Sequence, residues 1–191
     1  MPVSLSASAS ASNNGALELI SYGVVSSDLV VDFSFANIPQ GYRDLYFVGT
    51  LRSTAGGISQ TVFATPYFVG SGGSPQSATL VSANGTTVSV GRYANQGGQF
   101  TGMMAASGAT SGTYGTFICN LLNYSSTSTF KTGISSSAVD GGSTGGEVDY
   151  RAFSTALTGA ITHFNISTNN VAIFFAPGST FALYGIKGRG Q

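Results

Sequence analysis

Every apolar run in this chain is cut by glycine, serine, threonine, asparagine or proline before it could complete three turns of helix. No stretch of ten or more residues repeats apolar positions at three and four without such an interruption, so the helical period is missing. What remains is alternation at a period of two, the signature of half-buried strands. Over 28–35, Leu29, Val31, Phe33 and Phe35 share one face and Val30, Asp32 and Ser34 the other. Over 44–52, Leu45, Phe47, Gly49 and Leu51 share a face. Runs at 77–81 and 86–93 flank Ala83-Asn84-Gly85, and Asn-Gly between such runs signals a hairpin. Further strand-like runs cover 60–69, 99–105, 114–123, 130–139, 147–157, 160–168, 171–176 and 180–187. Short strands at such spacing predict an all-β fold, a two-sheet antiparallel sandwich of jelly-roll type. The 191 residues suit one domain, 15–191, preceded by an arm over 1–14. From Ser6 to Ser12 that arm alternates Ser and Ala and has no hydrophobic face of its own. It is expected to become ordered only against another subunit.

Charge narrows the function. Charged residues are 7% of the chain, against about 25% in an average domain, and seven basic residues balance seven acidic ones. A chain without a basic footprint is not expected to take nucleic acid as its partner. No basic amphipathic helix or long apolar segment points to a membrane. A neutral, hydroxyl-rich surface favours association, which suits a protein packed against copies of itself. Met1-Pro2-Val3-Ser4-Leu5 has neither a basic start nor a sustained apolar run, so no secretory leader is expected, and the formal glycosylation acceptors Asn84, Asn123 and Asn165 read as turn and strand polar residues.

Residues that could carry chemistry are few. The single histidine, His163, has no carboxylate near it in sequence to orient it, as a hydrolytic triad requires. The single cysteine, Cys119, lies in the apolar run Phe117-Ile118-Cys119 and reads as a buried, inert thiol. One His and one Cys cannot complete a zinc shell. Gly141-Gly142-Ser143-Thr144-Gly145 matches G-x-S-x-G but lacks the following helix that gives the motif meaning. Asp140, Glu147 and Asp149 could hold a hard cation, yet their spacing matches no established loop. The expectation is a non-enzymatic protein with no catalytic, metal or cofactor residues. Exposed rings among nine Tyr and thirteen Phe leave carbohydrate binding as the one plausible activity.

Two segments resemble a known group. Leu17-Glu18-Leu19-Ile20-Ser21, then Val31-Asp32-Phe33-Ser34 leading into Asn37-Ile38-Pro39-Gln40-Gly41-Tyr42-Arg43-Asp44-Leu45, resembles the opening of small virion proteins of tailed bacteriophages, many from cyanophages and marine phages. Gly178-Ser179-Thr180-Phe181-Ala182-Leu183-Tyr184-Gly185-Ile186-Lys187 is similar to their closing signature. The likeness is carried by the two ends; the middle, 53–168, shares only texture. It implies a β-sandwich virion structural protein without enzymatic activity. The leading expectation is a head decoration or cement protein, a homotrimer that clamps the major capsid protein or other virion proteins. It would be made in the host cytoplasm and end on the particle surface. The alternative is a tail-fibre or receptor-binding module that recognises host-surface glycan.

The last two runs suggest where such a protein would touch its partners. Val-Ala-Ile-Phe-Phe-Ala at 171–176 and Phe-Ala-Leu-Tyr-Gly-Ile at 181–186 lack a polar face apart from the Tyr184 hydroxyl. If Phe181, Leu183 and Gly185 fill the core, then Tyr184 and Ile186, with Phe174 or Phe175, form an apolar oligomer or partner interface.

Overall fold

The computed structural model describes residues 16–26, 30–68, 75–97, 100–142, 145–168 and 172–188. The arm at 1–14 therefore lies outside the described residues. The described residues form twelve strands and no α-helix. In chain order they are β1 Leu17–Val24, β2 Asp32–Phe35, β3 Asp44–Leu51, β4 Ser59–Phe68, β5 Pro75–Asn84 and β6 Thr87–Gly97, followed by β7 Phe100–Ala105, β8 Gly115–Leu122, β9 Thr132–Asp140, β10 Gly146–Thr155, β11 Ile161–Thr168 and β12 Thr180–Ile186. They form two antiparallel sheets packed as a sandwich. The larger has eight strands in the order β1-β12-β3-β8-β9-β10-β5-β6, and the smaller has four, β2-β11-β4-β7. The chain crosses between sheets at every step except β5–β6, β8–β9 and β9–β10, and β9, β10, β5 and β6 extend the larger sheet beyond β8.

Alternation chooses the inner face. In β3, Leu45, Phe47 and Leu51 point inward; in β8, Phe117, Cys119 and Leu121 do so beside them. From the smaller sheet, Phe33 and Phe35 of β2 and Phe164 and Ile166 of β11 close onto these residues. Rings knit the two layers together: Phe33 stacks on Phe181 with centroids 4.5 Å apart, and Phe47 meets Phe35, Phe117 and Phe164. Such pairs add about 0.5–1.5 kcal/mol each beyond the area they bury.

Three local expectations are corrected. The run at 171–176 is not a strand over its described part: Phe175 alone forms bridges, to Val30 and Ser53, and its ring plugs the core against Phe181. A fully apolar segment fits there because it seals one end of the sandwich. At 28–35 the regular strand is only Asp32–Phe35; Leu29 lies outside the described residues. The hairpin turn centres on Gly85-Thr86, one residue beyond Asn84, because Gly85 takes the positive φ of 58° at the first central position while Asn84 still pairs with Thr87.

Candidate interaction face

The two signature segments meet at one end of the larger sheet. Tyr42 lays its ring on the backbone of Gly185, where any β-carbon would collide with it. Beside it the Arg43 N–H donates to the Ile186 carbonyl, the Lys187 N–H donates to Ala16, and the Lys187 ammonium lies 2.9 Å from Glu18. That hydrogen bond holds the Glu18 carboxyl below its ordinary range. Buried Asp44 accepts from Arg43 Nε at 2.6 Å and from the Asn123 N–H at 2.9 Å. The Gln40 amide donates to the carbonyls of Ile38 and Ile161, and the Tyr124 hydroxyl donates to that of Pro39. These residues fix how β1, β3 and β12 join. Their role is architectural.

The expected interface residues do not gather. Phe175 is fully buried. Phe174 exchanges hydrogen bonds with Thr54, beyond the end of β3 beside Thr180, whereas Ile186 pairs with Asp44 at the start of β3. Six residues of strand separate those ends, about 20 Å. Tyr184 and Ile186 do point outward from the larger sheet, half-buried, opposite Leu19 and Leu17 on β1.

They belong to something wider. Register places Leu17, Leu19, Tyr22 and Val24 of β1 on the same outer face as Tyr184 and Ile186, then Tyr46 and Val48 of β3, Ile118 and Leu122 of β8, and Ile134 of β9. Val148 and Tyr150 of β10, Val81 of β5, and Val88 and Val90 of β6 continue it. Of the large apolar side chains exposed among the described residues, all those in strands except Tyr93 lie on this face, and Val90 reaches 78% exposure.

In its far half the sheet mixes its faces: Leu80, Val139 and Phe153 are buried on the inner side, but polar and charged residues stand beside them. β10 turns Glu147, Asp149 and Arg151 toward the smaller sheet's side and Val148 and Tyr150 toward solvent. β9 likewise turns Ser135 and Ser137 inward and Ile134 outward. The inward polar groups are matched. Asp149 accepts from Arg151 at 2.6 Å, Glu147 accepts from Ser59 at 2.8 Å, and Ser137 accepts the Met103 N–H at 2.8 Å. Only Arg92 brings a charged side chain among the exposed residues of β5 and β6 on the outer face.

The remaining candidates do not form a reactive constellation. His163 is half-buried, with Nδ1 at 3.1 Å from the Thr162 hydroxyl. Cys119 is buried, and desolvation pushes its thiol far above the ordinary range. Asp140 caps its own turn by accepting from the Gly142 N–H, on the opposite sheet face from Glu147 and Asp149. Gly142 and Gly145 belong to the β9–β10 connection, and the chain proceeds into a strand. Buried Lys131 spends its ammonium on the carbonyls of Ser126, Thr129 and Thr158. No group of three His, Cys, Asp or Glu residues suited to a metal occurs among the described residues, and no described helix is long and apolar enough to cross a membrane.

Comparison with known proteins adds no assignment: no family model matches the chain, and no curated protein matches it significantly. The outer face was missed in the sequence because alternation gives the period of a strand and not which side faces in. The signal that could have found it is the sequence Glu147-Val148-Asp149-Tyr150-Arg151, whose charged side can be buried only with partners.

Proposed function

We propose that this chain is a non-enzymatic structural subunit of a bacteriophage particle, a head decoration or cement protein that associates with itself and clamps neighbouring capsid subunits. The observation that carries the reading is the row of exposed apolar side chains along the outer face of the larger sheet. Exposed contiguous apolar patches of more than a few hundred Å² mark interaction surfaces, and here ionic groups are turned inward while Val, Ile and Tyr are presented outward. The wiring adds support. We read β1-β12-β3-β8 facing β2-β11-β4-β7 as a jelly roll with two inserted hairpins, an architecture common in viral capsid proteins. The resemblance of the two terminal segments to phage virion proteins points the same way.

The test adds purified protein back to particles that lack it. Ile134→Lys and Val148→Lys each place a charge on the face without touching the core. Each should keep the wild-type melting temperature within a few degrees while binding falls at least tenfold. Wild-type binding by both would remove the basis of the proposal. A receptor-binding module is favoured only by the exposed rings of Tyr22 and Tyr150. Copy number separates the two: hundreds per particle for a decoration protein, tens or fewer for a tail module.

A further inference from the structure

The eight-stranded sheet ends in β6, and this edge differs from the one at β1. Thr87, Val88, Ser89, Val90, Arg92 and Tyr93 are exposed, so β6 projects beyond the cover of the smaller sheet. Asn84 and Thr87 close the two-residue turn as a hydrogen-bonded pair, and pairs alternate along an antiparallel ladder. Ser89 and Gly91 therefore direct their N–H and C=O groups at β5, and Val88, Val90 and Arg92 direct theirs outward. From 87 to 93 the pairing is regular, without the bulge that interrupts β1 between Leu19 and Ser21 at the other edge. A long regular edge with an apolar side is a template for another strand.

We propose that β6 receives the N-terminal arm of a second copy of this chain as an added strand. This deepens the reading of the chain as a self-associating particle subunit and rests on it. The arm carries the matching pattern: Leu5, Ala7, Ala9 and Ala11 alternate with Ser4, Ser6, Ser8, Ser10 and Ser12, with no charge or proline in the run. Laid beside β6, it continues Val88 and Val90 with Leu5 and alanines on the outer face, and Ser89 with serines on the inner face. The arm of the same chain does not reach. It departs from β1, across the width of an eight-stranded sheet, about 34 Å at 4.8 Å per spacing. Residues 13–16 span at most about 14 Å. Folding back on its own β1 through Asn14-Gly15 would set Ser12 against Leu17 and Ser10 against Leu19, hydroxyls on the apolar side, and Ala11 against Glu18. Donation of an arm to a different surface on the next copy is a heterologous contact, which gives a ring where the rotation closes and a filament where it does not.

The experiment uses the full chain and reads its association by mass photometry. Val90→Pro removes an outward N–H while leaving the β5 ladder intact, because proline is tolerated at such edge positions. Deletion of residues 2–12 removes the donor. Each should weaken association at least tenfold with an unchanged far-UV spectrum. A photo-crosslinking amino acid in place of Ala9 should form adducts within 87–93 of another copy, identified by mixing isotope-labelled and unlabelled protein. Undiminished association after the deletion overturns the proposal and leaves self-association standing. So do adducts confined to β1 of the same chain. A full chain that stays monomeric at all concentrations, without intermolecular adducts, overturns both readings.

Discussion

Glu18 and Lys187 show how a few polar side chains hold the ends of the fold. The hydrogen bond from Lys187, offset in part by desolvation, depresses the Glu18 carboxyl. A depressed carboxyl stabilises the fold above its unfolded pKa, and that contribution is lost as pH falls through the folded pKa. NMR titration should therefore place the Glu18 midpoint below the ordinary glutamate range, and Lys187→Met should raise it into that range. Asp149 and Arg151 are the more consequential pair, both largely withdrawn from solvent. Arg151→Ala would leave a buried carboxylate unpaired, a loss of about 3–5 kcal/mol in chemical denaturation. The double change Asp149→Leu/Arg151→Met should recover most of it, because no charge is then stranded. Cys119 should stay silent toward thiol reagents in the native state and react once denaturant unfolds the chain, since only the thiolate is nucleophilic.

At the scale of elements, the strands were legible where one face must be apolar. In β3 alternation already groups Leu45, Phe47 and Leu51, whereas in β12, which lacks a polar face, Phe181, Leu183 and Gly185 were one of two possible inward sets and burial selects them. The segment around Phe175 was not legible, because an all-apolar run looks the same whether it pairs as a strand or plugs an end. β9, β10, β5 and β6 were legible as strands but not in orientation, since burial of Asp149 is possible only through Arg151, a contact two residues away on the same face. Ile186→Asp would face Asp44 across the ladder and should destabilise the isolated subunit by like-charge repulsion, so it reports on folding as much as on docking. Ile134→Lys, with cross-strand neighbours Asn120 and Ala152 that are neutral on that face, separates the two: its urea midpoint should match wild type while binding to particles falls.

Across the whole molecule, a neutral chain with a hydroxyl-rich surface and an exposed apolar sheet face fits the proposed self-associating particle subunit. The purified protein should give a β-dominated far-UV spectrum; a third or more helix would contradict the sandwich. The central claim, that the outer face of the larger sheet is covered when the protein works, is tested most directly by hydroxyl-radical footprinting on intact particles. Tyr22, Tyr150 and Leu122 are exposed in the subunit and report on that face. The account predicts that, relative to the free subunit, oxidation of Tyr22, Tyr150 and Leu122 falls at least fivefold in the particle. Unchanged oxidation of these three residues in the particle would show the face open to water and contradict the account.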